Sequence, residues 1–206
     1  MEAERRRRAD ALANRDRILD VARATLTADP DASLSAIAKA AGVGQGTLYR
    51  HFPTREALVL DVYRREIDEI VTLAGTLLAE HPPLRSFQLW CERLAEFGRV
   101  KHAVADMLHA AISDNDIHET YWPMVGAVRQ LLEACEGSGE IRSGSDAEDV
   151  LTLLSVLGTV PSTSVGKARA NRLIALVFLG LGAESLQSAD SANTGTGAHS
   201  SGRKVE

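Results

Sequence analysis

The sequence predicts an all-α fold of about nine helices, and three features carry that expectation. Few segments alternate apolar and polar residues with the period of two that a strand needs. Ala and Leu are abundant, whereas aromatic residues make up only 4% of the 206 residues. Apolar residues recur at helical spacing, in runs separated by Pro, Gly and Asp. With 45% apolar residues, the chain can bury a core for one large domain or two small ones.

The elements follow in order. Residues 1–9 read as a flexible basic arm. From Asp10 to about Thr27, Leu12, Ile18, Leu19, Val21, Ala22 and Leu26 fall largely on one side of a helix, which Asp29-Pro30-Asp31 ends. Ser33 suits the N-cap of a short helix through Ala41, although Ala36 stands where a capping box would have Glu. Gly42 suits the left-handed residue past that helix. A second short helix spans about Gln45 to His51, and Thr54 caps the next. That fourth helix, about Arg55–Glu80, has a buried stripe of Leu58, Val62, Ile67, Ile70, Val71 and Leu77. His81-Pro82-Pro83 stops it. Beyond, helical patterns cover Leu84 to Gly98, Lys101–Ile112, His118–Cys135, Asp146–Val160 and Ala168–Leu186. Ser113 to Asp116 reads as a connector, Gly137 to Ser145 as a loop and residues 187–206 as a disordered tail. The domains expected are a head over 10–55 and a body over 56–186, with helix four (55–80) joining them.

Composition narrows the function classes. The net charge of −5 argues against a chain that coats nucleic acid throughout. Its distribution is uneven: residues 1–55 carry +3 and the rest −8, so any polyanion contact is local. Cys91 and Cys135 lie in apolar helical patterns and read as reduced, buried thiols. There is no CxxC and no Cys/His cluster at metal-ligand spacing, so neither a metal nor a cofactor is expected. The charged start lacks an apolar signal region, and the longest apolar run, Leu173 to Ala183, is too short for a bilayer. A soluble cytoplasmic protein is the expectation.

Three glycines crowd the stretch AGVGQGTLYRHF, residues 41–52. A dinucleotide fingerprint needs G-x-G-x-x-G after a strand; here the spacing is G-x-G-x-G after an Ala-rich helical pattern. No Gly-Lys-Ser/Thr occurs, so a P-loop fails too. A helix-turn-helix fits better. Ile37, Ala38, Ala41, Val43, Leu48 and Phe52 can pack two short helices together. The second helix then exposes Gln45, Thr47, Tyr49, Arg50 and His51, which all hydrogen-bond and include no acid. Two other readings stay open here: an enzyme holding a nucleotide at residues 42–46, and a helical scaffold for protein contacts.

The run from Leu34 to Leu58, LSAIAKAAGVGQGTLYRHFPTREAL, resembles the DNA-binding region of TetR-type transcriptional repressors. The resemblance implies a non-catalytic regulator that binds double-stranded DNA as a homodimer and releases a palindromic operator when a small effector binds. It implies base-edge contacts from Gln45 and Thr47, agreeing with the chemistry of Gln toward adenine and of a Thr methyl toward thymine. It implies phosphate contacts from Tyr49, His51 and Arg55. Ser33 and Ser35 could donate to phosphate or a base edge, Arg50 could add specificity, and Lys39 faces outward. Gly44 and Gly46 leave the helix start bare for close approach. The family departures are Gly44 in place of a capping Ser and Ala36 in place of an acid. Arg5 to Arg8 reads either as a solvated arm or as a minor-groove insert.

In the body, Leu173, Leu176, Val177, Phe178, Leu179 and Leu181 leave the last helix no polar face, and Gly180 allows close contact. The family pairs its last two helices across a dimer, with Val150, Leu153, Leu154 and Leu157 on the partner helix. The resemblance also implies an effector pocket in the middle helices, where the scarce aromatics and methionines gather: Phe87, Trp90, Cys91, Leu94, Phe97, Met107, Tyr121, Trp122 and Met124. His102, Asp106 and Tyr121 would supply polar groups to a largely apolar effector.

Overall fold

The computed structural model describes residues 2–103, 114–161 and 163–183. Among these residues the regular structure is helical. The helices are α1 (Glu2–Ala28), α2 (Leu34–Ala40), α3 (Gln45–His51), α4 (Arg55–Glu80), α5 (Pro83–Ala103), α6 (Asp114–Gly137), α7 (Ala147–Ser155) and α8 (Ser164–Leu181). A 3₁₀ turn, Val156–Thr159, follows α7.

Eight helices are thus described where the sequence pattern predicts nine. Most of the helix expected at Lys101–Ile112 lies outside the described residues, as does the tail at 187–206. Several boundaries differ; α8, for one, starts at Ser164 and not at Ala168. Glu, Ala and Arg are strong helix formers and no Pro or Gly precedes Asp10, so α1 runs back to Glu2 in place of a flexible arm. The connector at 114–116 is already helical, because α6 starts at Asp114. The span 146–160 divides into α7 and the 3₁₀ turn, with Asp146 accepting from the backbone N–H groups of Glu148 (2.8 Å) and Asp149 (3.1 Å). At the other end, α8 stops at Gly182, whose φ of 86° ends the helix.

The helices enclose two apolar cores. In the head, Ile18, Leu19, Ala22 and Leu26 of α1 meet Ile37, Leu48 and Phe52, together with Leu58, Val59 and Val62 of α4. In the body, Ile67, Ile70, Ala74 and Leu77 of the same α4 meet α5 through α8, with Trp90, Phe87, Leu131 and Phe178 fully buried. Tyr63 packs against both cores. One helix therefore belongs to two cores, and the exchange occurs over about one turn, residues 62–67.

That turn is where the polar groups sit. Glu66 is buried and accepts from Arg23 of α1 and Arg93 of α5, both at 2.8 Å. This hydrogen bond from Arg23 is the main reason its guanidinium is held further toward the charged form. Arg65 reaches Asp20 at 3.0 Å, Arg15 reaches Asp61 at 2.6 Å, and Arg64 pairs with Asp116 of α6. Burying a carboxylate is costly unless its oxygens are paired, and here two guanidiniums do so from different helices.

Candidate nucleic-acid interface

The turn between α2 and α3 is built from local rules. Ser33 caps α2, its hydroxyl accepting from the Ala36 N–H at 3.2 Å. Gly42 takes φ 64°, the left-handed conformation that other residues adopt only with strain. The Val43 N–H then donates to the Ala38 carbonyl at 3.0 Å, closing the turn. Leu48 and Phe52, four residues apart, are both fully buried and fix the inner face of α3.

At 100° per residue, the rest of α3 is then placed. Arg50 lies opposite the buried face. Gln45 and Tyr49 form one flank, and Thr47 and His51 the other. Gln45, Tyr49 and Arg50 are exposed, with Tyr49 at 48%, whereas Thr47 and His51 are half-buried. Ser33, Ser35 and Lys39 are exposed beside them on α2. Gly44 and Gly46 have open space where a Cβ would sit. Neither takes a positive φ, so their value lies in bareness and not in backbone freedom.

Two expected side chains have partners within the chain. Arg55 donates to the backbone carbonyls of Pro30 and Asp31, so its guanidinium staples the loop before α2. Arg50 is exposed and donates through Nε to the Gly46 carbonyl at 3.1 Å, one turn back along α3. Arg5 and Arg6 are exposed on the helical start of α1.

The residues expected around an effector separate into three groups. Phe87, Trp90, Cys91, Leu94, Phe97 and Met124 are buried, and Trp90 donates to the Ile70 carbonyl at 2.9 Å. Phe87 meets Phe178 edge-on at 5.0 Å between ring centroids. Tyr121 and Trp122 instead stand 36% and 46% exposed, their rings meeting edge-on at 5.5 Å between centroids. The His102 side chain, Asp106 and Met107 lie outside the described residues. The sequence pattern missed Tyr63, Glu66, Arg93 and Thr120, a polar group at the α4–α5–α6 junction; a Glu inside the apolar stripe of α4 was the available signal. Burial raises the Tyr63 phenol, an effect partly offset by its hydrogen bond with Thr120.

The expected dimer residues also divide. Val150, Leu154, Leu157, Phe178 and Leu181 are buried within the chain, and all but Phe178 also line the groove between α7 and α8. Leu153 and Leu176 are 59% and 63% exposed, Gly180 is exposed, and Leu173 and Val177 are half-buried. With Asp149 and Val156 they line the same open groove, of about 580 Å³.

No helix among the described residues is long and apolar enough to cross a membrane, and no group of His, Cys, Asp or Glu there could hold a metal ion. The glycine turn follows a helix and not a strand, which removes the structural basis for a nucleotide cradle at 42–46.

Two short helices on a tight turn, the second with a polar and acid-free outer face, define a helix-turn-helix DNA-binding regulator. Residues 18–62 match the family described as bacterial regulatory proteins, tetR family. Residues 82–183 match the C-terminal domain of SbtR-like transcriptional regulators. A solved TetR transcriptional regulator from Streptomyces coelicolor is 36% identical, over 81% of this chain and 97% of that one, with a TM-score of 0.72. A TetR regulatory protein from Mycobacterium vanbaalenii is 30% identical over 84% and 98% of the two chains, with a TM-score of 0.68. An HTH-type transcriptional regulator of Staphylococcus aureus (strain bovine RF122 / ET3-1) is 37% identical over 67 residues, 32% of this chain and 36% of that protein. The chain thus spans about a third of the length of that curated relative. This chain belongs to the TetR family, whose members are transcriptional regulators and not enzymes.

Proposed function

We propose that this regulator is a homodimeric cytoplasmic repressor that reads a palindromic operator and is released by a small, largely apolar effector. The observation that carries the DNA reading is the outer surface of α3, where Gln45, Thr47, Tyr49, Arg50 and His51 offer donors and acceptors without a single acid. Gln45, Thr47 and Arg50 specify bases, while Tyr49, His51, Ser33 and Lys39 meet phosphate and set register. Arg55 acts chiefly by holding the loop that presents α2.

One α3 covers only a few base pairs, so a second copy about one helical turn away completes the site. The outward leucines of α7 and α8, Leu153 and Leu176, support that pairing, since a monomer gains nothing from exposing them in one groove. An effector seated among α4, α5 and α6 would act through α4, which shares both cores. It must favour the released geometry over the DNA-bound one to act at all.

Selection of random duplexes by the purified protein tests the reading. A palindrome is expected, with its enrichment lost in Gln45→Ala and Tyr49→Ala. A folded dimer that enriches no sequence at low salt sinks it. The oligomer has its own check: Leu176→Glu should yield a folded monomer in sedimentation, and a dimer that persists refutes this face.

A further inference from the structure

We propose that Ser35 is a positioning residue for Gln45 and so sets the base preference of the recognition helix. The inference rests on the DNA-binding reading of α3. Ser35 is the second residue of α2 and Gln45 the first of α3, ten positions on. The Gln45 Nε2 donates to the Ser35 hydroxyl oxygen at 2.7 Å, across the outside of the turn.

The neighbours of Gln45 make this contact consequential. Gly44 offers no side-chain cap, and neither Gly44 nor Gly46 has a side chain to pack against the Gln45 stem. An exposed glutamine without such neighbours samples many rotamers. The Ser35 hydroxyl therefore replaces the packing that would otherwise aim the amide.

The chemistry of the remaining edge follows. A Gln amide has two N–H donors and one carbonyl. One N–H is taken by Ser35, which leaves one donor and one acceptor side by side. Adenine presents N7 as acceptor and N6 as donor in the major groove, whereas guanine presents two acceptors, N7 and O6. The tethered amide fits adenine and faces guanine with a carbonyl against an acceptor. Released from Ser35, the amide can turn about its last torsion and accept either base.

Three variants read against every base at each operator position test this. Ser35→Ala should fold, since Ala is the better residue in the first turn of an exposed helix. It should lose about tenfold of the adenine preference at one base pair per half-site, the same pair at which Gln45→Ala loses preference. Combined, the two changes should cost no more preference there than Gln45→Ala alone. Ser35→Thr, which keeps the hydroxyl, should restore most of it. If Ser35→Ala keeps the full preference, the proposal is overturned. It is equally overturned if Ser35→Ala weakens all sequences alike and lowers the salt slope by about one, because Ser35 is then a phosphate contact. Absence of any preferred sequence for the unmutated protein would overturn the DNA reading itself, and this inference with it.

Discussion

The head and the body are built at different scales from the same material. The head core is a dozen buried residues drawn mostly from α1 to α4, with Phe52 its one buried aromatic ring. The body core is more than twice as large and draws on Phe87, Trp90, Phe97 and Phe178. The head holds its shape through caps and a tight turn, each satisfied within a few residues. The body holds its shape through long-range packing. Local devices suit a surface that must present side chains at fixed angles. Between them lies a polar joint, where Glu66 ties α1 and α5 to α4.

Breaking the body should cost most. Trp90→Ala removes a fully buried indole and its hydrogen bond to Ile70, so a loss of about 3–5 kcal/mol is expected. Chemical denaturation read separately at head and body probes should show the body failing first; equal loss at both would mean that α4 makes them one cooperative unit.

Glu66→Ala attacks the joint. It leaves Arg23 and Arg93 facing each other without the buried carboxylate. Both arginines reach solvent, so about 1–3 kcal/mol is expected, below the cost of breaking a fully buried pair. Operator affinity should fall more than stability predicts, because the head loses its tie to α5. Affinity that tracks stability alone would argue against a joint role.

Gly42→Ala probes the head by itself. Its φ of 64° penalises any Cβ by about 1 kcal/mol, with open space around it. Thermal melts should drop by a few degrees and DNA affinity with them. In contrast, Gly44→Ser adds a cap to α3 where none exists, and should stabilise by about 0.5 kcal/mol.

The smallest effect concerns the thiols. Burial, then nearby Glu140 and Glu136, push the Cys135 thiol from 9.0 up to about 12, and burial drives Cys91 up as well. The unfolded chain loses these protons first as pH rises, so stability declines from about pH 9 towards 12. Replacing Cys135 with Ala should flatten its share of that decline in melts taken across this range.

Legibility divided along the same line as the architecture. The caps at Ser33 and Thr54, the turn at Gly42 and the inner face of α3 were all readable, because each depends on residues within four positions. The start of α1 was misread, since charge alone suggested an arm where propensity favours helix. In the body, the aromatic cluster in α5 was readable as buried, but Tyr121 and Trp122 were not readable as exposed. Their residue type says apolar, and only the structure shows that both stand exposed.

By itself the sequence determined the helix-turn-helix, its glycine turn and the polar residues available to α3, since local hydrogen bonds and a 3.6-residue period are written in adjacent positions. It also determined that the stretch of α8 from Leu173 to Leu181 is apolar all round. Only the tertiary structure decided which of those apolar residues are spent inside the chain, as Phe178 is, and which remain outside, as Leu176 does. It alone joined Glu66 to Arg23 and Arg93, which lie 43 and 27 residues away. Contacts at such separations follow from how helices pack against one another, and no local pattern encodes the partner.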